Sequence, residues 1–373
     1  MNCSSQQSAC ALEIHAAEGL HIFEFTQASH TEWFITLVPG EASPPSLFER
    51  AASLLRDREI EVVAQEVFGN ATHLPLLEKA FGPLSWPVTW IGEQGKTPRE
   101  LAGTQFWGVS GVPVESVMLG NSTVGRTFQT ESARFCRLGG LIPPDPRAPE
   151  GIQAGHVFRQ MDQALATVGM DFGAVLRTWF FNHSILDWYP TFNQVRDAFF
   201  REKGVFDGLV PASTGIAGSN PQRAALAAAL LAVQPVDGST IPAPVPSPLQ
   251  CPALEYGSAF SRAVELAAPD HRRLFVSGTA SIAPEGHTVH TGDVQAQVAT
   301  TMEVVGAILE SRGMNWNDTC RAIAYFKNGK DLPLLDHYLA DTNTAPFPVV
   351  LVTNDVCRDD LLFEIELDAL QVC

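Results

Sequence analysis

Near its C-terminal end the chain reads Leu362-Phe363-Glu364-Ile365-Glu366-Leu367. Successive side chains of a strand point to opposite faces, so Phe363 and Ile365 share one face and Glu364 and Glu366 the other. A charge is costly to bury without a partner, and a carboxyl drawn out of water keeps its proton to higher pH. The pair is thus a candidate acid–base site, although the same alternation fits an outer sheet face that is simply wet. A second candidate is Ser277-Gly278-Thr279, which ends the apolar run Leu274-Phe275-Val276. Glycine lets a ligand approach the backbone, so its amide and the flanking hydroxyls are candidate donors to a carboxylate or carbonyl; a β-bulge without a ligand fits equally. Tyr325 ends another apolar run and suits either orienting a ring or a water, or filling a core. Cys357, beside Arg358, precedes Glu364 by seven positions. No histidine is placed by motif beside any cysteine, which leaves nucleophilic thiol catalysis unsupported. His287, His290 and Asp293 could suggest a metal, but they directly precede a long helix and Asp293 reads as its N-cap. No metal site is expected. No phosphate loop, dinucleotide fingerprint or serine-nucleophile motif occurs, and no cofactor is implied.

The elements that must hold these residues repeat along the chain. Val67-Phe68-Gly69-Asn70 through Leu74-Pro75-Leu76-Leu77 aligns without a gap on Tyr325-Phe326-Lys327-Asn328 through Leu332-Pro333-Leu334-Leu335. Gly169-Met170-Asp171-Phe172, leading to Arg177–Phe181, aligns likewise on Gly313-Met314-Asn315-Trp316, leading to Arg321–Tyr325. Both matches sit at a passage between helix and strand, and predict related units at 11–103, 104–236 and 251–373. Each unit reads as strands, a helix, a strand, a second helix and a strand. In the third, Val298, Met302, Val305, Ile308 and Leu309 recur at helical spacing, with Gly313 as the stop. In the second, 160–168 and 186–200 read as helices and 178–181 as strand. Residues 237–250, which carry several prolines, read as an extended connector, and 1–10 as a frayed, polar start. The fold class expected is α+β, each mainly antiparallel sheet covered by helices on one face. Two sheet modules behind an unrelated N-terminal domain is the alternative.

At 373 residues and 45% hydrophobic, the chain can bury more than one core. Its net charge of −17 argues against nucleic acid or anionic membrane as a partner, while a local basic pocket for a small anion remains compatible with it. No apolar run reaches the 18 or so residues of a membrane helix, and the N-terminus predicts no secretory signal. Seven scattered cysteines without a CxxC pair predict reduced thiols and a cytoplasmic location.

Taken together, Gly257-Ser258-Ala259-Phe260-Ser261-Arg262-Ala263, the strand ending Val276-Ser277-Gly278-Thr279-Ala280 and the Glu364-Ile365-Glu366 strand resemble the Rid superfamily of small trimeric imine and enamine deaminases. The fuller string, including Asp355-Val356-Cys357-Arg358-Asp359-Asp360, resembles its chorismatase branch, enzymes that split pyruvate from chorismate. Pro211-Ala212-Ser213-Thr214-Gly215-Ile216 is similar to a segment that branch carries, and suits tight strand packing or the wall of a neighbouring pocket. The resemblance implies three sheets around a threefold axis, closed within one chain as a pseudo-trimeric monomer or formed as a homotrimer. It implies Glu364 as the general acid, and a role for Cys357 in deciding whether water or the substrate's own hydroxyl captures the intermediate. The deaminases' carboxylate-clamping arginine falls on Val349 here. Arg262 stands where they carry glutamine and is expected to replace that cation, binding a small carboxylate substrate together with Phe260, Ser277, Gly278, Thr279, Tyr325 and Cys357. A deaminase using another anchor and a non-catalytic metabolite-binding protein are the alternative functions.

Overall fold

The computed structural model describes residues 10–40, 43–95 and 98–373; the rest of the frayed start expected at 1–10 lies outside the described residues. The first unit comprises β1 (Ala11–Ala17), β2 (Leu20–Thr26), β3 (Thr31–Leu37), α1 (Pro44–Asp57), β4 (Glu61–Gly69), α2 (Leu74–Phe81), β5 (Val88–Ile91) and β6 (Leu101–Ser110). The second comprises β7 (Val114–Leu119), β8 (Ser122–Gln129), β9 (Ala133–Leu141), α3 (Glu150–Thr167), β10 (Val175–Asn182), α4 (Ile185–Glu202), β11 (Ala212–Ala217) and β12 (Leu226–Pro235). The third comprises β13 (Ile241–Val245), β14 (Ala263–Ala267), β15 (His271–Ala280), α5 (Val294–Ser311), β16 (Thr319–Phe326), α6 (Leu334–Asp341), β17 (Val349–Thr353) and β18 (Phe363–Val372).

Each unit builds one six-stranded sheet in the same order, first-second-third-sixth-fourth-fifth. Only the last pair of each sheet, β4/β5, β10/β11 and β16/β17, is parallel. The molecule is thus three α+β units of one plan. Three differences from the expected boundaries have local causes. β6 continues through position 103 to Ser110, because it is the central strand between β3 and β4. The connector contributes β13, paired with β14; Pro242 and Pro244 are tolerated there because an edge strand has a side that needs no N–H donor. Helix α3 starts ten residues earlier than expected: Ala154, Val157 and Phe158 carry its buried stripe back into turns whose helix propensity Gly151 and Gly155 lower.

One face of each sheet packs on its own helices. In the third unit Val298, Met302, Val305, Ile308 and Leu309 of α5 meet Ala322, Ala324, Phe363, Ile365 and Leu367. Gly313, at φ 70°, ends that helix, and the Met314 amide donates back to the Leu309 carbonyl at 3.0 Å. The opposite faces of all three sheets share one core, which includes Phe34 and Trp107, Trp179 and Phe181, and Phe275 and Tyr325. Phe181 and Tyr325 take equivalent places in it, as their alignment implies. Val67 does not: it lies on the helix side and Phe68 faces the shared core, so the first unit is offset from the gapless match by one residue, which in a strand exchanges the faces.

The three joints run in one sense around the core. The fifth strand of each unit lies on the next: Thr89 of β5 accepts from the Gly140 amide (2.9 Å), Thr214 of β11 accepts from the Gly278 amide (3.1 Å), and Val350 of β17 stands against Gly103. One buried ion pair crosses each joint, Glu66–Arg137, Glu366–Arg177 and Glu32–Arg273.

Candidate active site at the joint of the second and third units

Strand β18 places Glu364, Glu366 and Asp368 on the inner face. Glu364 lies opposite Tyr325 of β16 and Ala280 of β15. The ladder between β15 and β18 is broken between Val276 and Thr279, and the bulge brings Gly278 against Glu364. A side chain there would collide with it, since a Cβ on Gly278 would stand 2.2 Å from Glu364 Oε1. Glycine here leaves the Glu364 carboxyl where it stands; a larger residue would displace the acid.

The flanking hydroxyls are not available to a ligand, contrary to the expectation for Ser277 and Thr279. Ser277 Oγ donates to the Ser261 carbonyl (2.5 Å) and accepts from the Ser213 amide of β11 (2.9 Å). Thr279 Oγ1 donates to the Ser277 carbonyl (2.8 Å), and the Gly278 amide is taken by Thr214. Ser277 and the Gly278 amide rivet β15 to β11 through Ser213 and Thr214, while Thr279 bonds within β15; the segment 211–216 can do this because its small side chains let the two strands approach.

The two glutamates have opposite surroundings. Glu366 is fully buried and accepts from Arg321 Nη2 (2.8 Å), Trp179 Nε1 (2.6 Å), Thr214 Oγ1 (2.8 Å) and Arg177. Burial pushes its carboxyl up, but Arg321 and Arg177 outweigh this and hold it below its ordinary value. Removing its charge would strand the buried Arg177, whereas Arg321 keeps Asp368 at 3.1 Å. Glu364 is 4% exposed and accepts no hydrogen bond or ion pair from the described residues. Burial first, and the Glu366 carboxylate second, raise it from 4.5 to about 8 against the pull of Arg177. At neutral pH it is a carboxylic acid with a proton to give.

This dictates how stability depends on pH. Between about 4.5 and 8 the folded protein holds a proton on Glu364 that the unfolded chain has released. Its contribution is complete below the unfolded value and is lost as pH rises through the folded one. Glu364→Gln lacks that dependence, so denaturation at pH 5 and pH 9 should show the variant gaining on wild type as pH rises. Each pH unit is about 1.36 kcal/mol, which makes about 5 kcal/mol the upper end. Parallel curves for the two proteins would refute a buried neutral Glu364.

Around Glu364 stand groups from both units. Tyr325 is fully buried and its hydroxyl has no partner among the described residues. The Cys357 thiol is pushed up to about 12 by burial and by Glu364, so it stays protonated and is no nucleophile. Tyr189 of α4 approaches Cys357 and Glu364 from the second unit, its own proton held by burial. Gly215 leaves room for its ring, since a Cβ there would lie 3.2 Å from the Tyr189 hydroxyl. Tyr256 stands in the fields of Arg262, Cys357 and Arg358. Arg262 is 4% exposed, lies 5.3 Å from the Tyr256 ring and 5.6 Å from that of Phe260, and donates through Nε to the Cys251 carbonyl at 3.0 Å. Its Nη2 is buried with no partner among the described residues. Arg358 donates to the Gly286 carbonyl (2.9 Å). Asp293 caps α5, accepting from the Ala296 amide at 3.0 Å.

Glu364, Gly278, Tyr325 and Cys357 are thus brought together, while Arg262 and Phe260 flank Tyr256. Tyr189, Tyr256 and Arg177 were not singled out as site residues from the sequence, and Thr214 was read only as part of the segment 211–216. A tyrosine on the aromatic face that α4 turns inward, three residues before Phe192, is the signal for Tyr189; an arginine within the largely apolar strand Val175-Leu176-Arg177-Thr178-Trp179-Phe180-Phe181 is the one for Arg177.

Residues 253–371 match the endoribonuclease L-PSP family. That unit belongs to the Rid superfamily, and the chain is like the chorismatase branch of it. The chain is 29% identical over 262 residues to a 3-hydroxybenzoate synthase of Streptomyces hygroscopicus, covering 62% of this chain and 72% of that one. It is 28% identical over 246 residues to a chorismatase of Streptomyces rapamycinicus, covering 59% of this chain and 72% of the relative. A crystal structure of a chorismatase shares the fold at a TM-score of 0.64 and 21% identity, over 83% of this chain and 92% of that one.

Proposed function

We propose that the protein is a chorismatase-like enzyme, releasing pyruvate from chorismate or a related enolpyruvyl ether of a cyclohexadiene carboxylate. The observation that carries this reading is a buried, unpartnered carboxylic acid, Glu364, protonated to about pH 8. Protonating an enol ether at carbon needs such a group, since an ionised carboxylate has no proton to transfer. Glu364 gives its proton to the enolpyruvyl methylene, and the ether oxygen shares the resulting oxocarbenium charge. Capture by water, or by a hydroxyl of the ring, leads to cleavage of the ether C–O bond and release of pyruvate. The orphaned Arg262 Nη2 holds a substrate carboxylate. Cys357, beside Glu364, bears on which nucleophile captures the cation. The deaminase reading lacks its cation, Val349 being a partly buried apolar residue packed on the third unit's helix-side core.

Incubation with chorismate, with pyruvate followed by coupled lactate dehydrogenase, tests the reading. Stoichiometric pyruvate is expected; none from chorismate or isochorismate, with ammonia released from amino-acid-derived imines instead, would replace it with the deaminase.

The ring of three units is proposed to be complete within one chain, because each unit's fifth strand already lies on a neighbour. Light scattering should then give about 40 kDa, the mass of one chain being 40.4 kDa. A stable species near three times that mass would show that chains exchange units.

A further inference from the structure

Glu364 and Glu366 leave the same face of one strand two residues apart, about 7 Å along it. Only Glu366 is held. Three of its four partners, Arg177, Trp179 and Thr214, belong to the second unit, and the fourth, Arg321, to the third. Arg177 is fully buried, and its Nε and Nη1 have no partner among the described residues. Its charge is therefore committed to Glu366 and Thr214 through Nη2 alone. Thr214 closes the arrangement: it donates to Glu366, and accepts from Arg177 at 2.8 Å and from the Gly278 amide that lies beside Glu364.

The other joints lack both carboxylates. The strand pairs equivalent to Tyr325–Glu364 are Phe68–Gly103 and Phe181–Ala227, and Glu366 is answered by Gln105 and Ala229. An acid and its charged neighbour thus occur together, at one joint of three.

We propose that Glu366 is a positioning residue for the acid step: its carboxylate, pinned by Arg177 from the second unit and Arg321 from the third, keeps the proton on Glu364. The proposal rests on Glu364 being the acid of the function proposed above. The groups facing Glu364 are Glu366 on its own strand, Tyr325 from β16, Cys357 from the loop before β18, Tyr189 from α4 and Arg177 from β10. Gly278 of β15 and Thr214 of β11 carry no titratable group. Burial keeps both tyrosines and Cys357 neutral, so the charges acting on Glu364 are one negative, Glu366, and one positive, Arg177. Two neighbouring carboxylates cannot both ionise freely in a site shielded from water, and the one with cations at hand gives up its proton first.

The experiment is a pH titration of the protonated-carboxyl carbonyl band of Glu364 by infrared difference spectroscopy, the band being assigned by its loss in Glu364→Gln. Glu366→Gln removes the negative neighbour and should lower the midpoint by about 1–2 pH units. Arg177→Gln leaves Glu366 ionised through Arg321 and should raise it. General loosening of the joint would move both midpoints down, towards an ordinary carboxyl, so opposite signs separate the electrostatic role from a structural one. If Glu366→Gln does not fold, the sign for Arg177→Gln decides. Thr214→Val, which keeps both charges, should leave the midpoint within about half a unit. An unmoved or raised midpoint in Glu366→Gln, or a lowered one in Arg177→Gln, overturns the proposal. In turnover, Glu366→Gln should recover at lower pH while the alkaline limb of kcat/KM follows the band. Midpoints that move as expected in a protein that releases no pyruvate at any pH would uphold the proposal and sink the function reading instead.

Discussion

Glu364→Gln should lower turnover by about 10²–10⁴ while leaving ligand affinity near that of wild type. The amide fills the same space against Gly278 and keeps a donor, but it has no proton to give to carbon. The loss should therefore fall on kcat, with calorimetric binding of the substrate or a stable ether analogue retained. The variant also removes the carboxyl that burial and Glu366 raise to about 8, so wild-type kcat should fall at alkaline pH around that value. A Glu364→Gln enzyme within threefold of wild type would assign the proton to another group, of which Tyr325, with its unpartnered hydroxyl in the shared core, is the nearest in the fold.

Arg262→Ala should weaken the enzyme by about 2–4 kcal/mol, roughly 30- to 700-fold in kcat/KM. The side chain lies beside two aromatic rings and uses Nε on the Cys251 carbonyl, which leaves Nη2 buried and unmatched. A buried donor without an acceptor is costly in the free protein, and a substrate carboxylate would satisfy it. Because that carboxylate is present in both ground and transition states, the loss should appear mainly in KM. Arg262→Lys should recover little, since an ammonium cannot keep both the planar contact with the rings and the Cys251 bond. Unchanged kinetics in Arg262→Ala would move the anchor to Arg358, which lies 5.7 Å from the same Tyr256 ring.

The number of units, the α+β class and the face on which Glu364 lies were legible in the sequence, because they depend on periodicity and local repetition. Helix α5 was fixed by its apolar spacing between Asp293 and Gly313, and strand β18 by strict alternation. Unit boundaries were less legible: β6 and β13 take part in their sheets through pairing with strands distant in sequence, which no local signal carries. The offset of Val67 from Tyr325 is of the same kind, since a one-residue difference barely alters an alignment and reverses a face.

What tertiary structure alone decided is which of the chemically able residues are free. Ser277 and Thr279 have the right side chains beside the right glycine, yet the Ser277 hydroxyl is used to join β11 to β15 and that of Thr279 donates to the Ser277 carbonyl within β15. Glu364 and Glu366 are identical residues in near-identical local sequence, and what separates them is the arrival of Arg177, Trp179 and Thr214 from a strand pair more than 140 positions away. Sequence sets which groups can ionise and which face they share. Which of them does ionise depends on the partners that folding brings within hydrogen-bond reach, because hydrogen bonds and charges in a water-poor joint act over a few ångströms and are indifferent to separation along the chain.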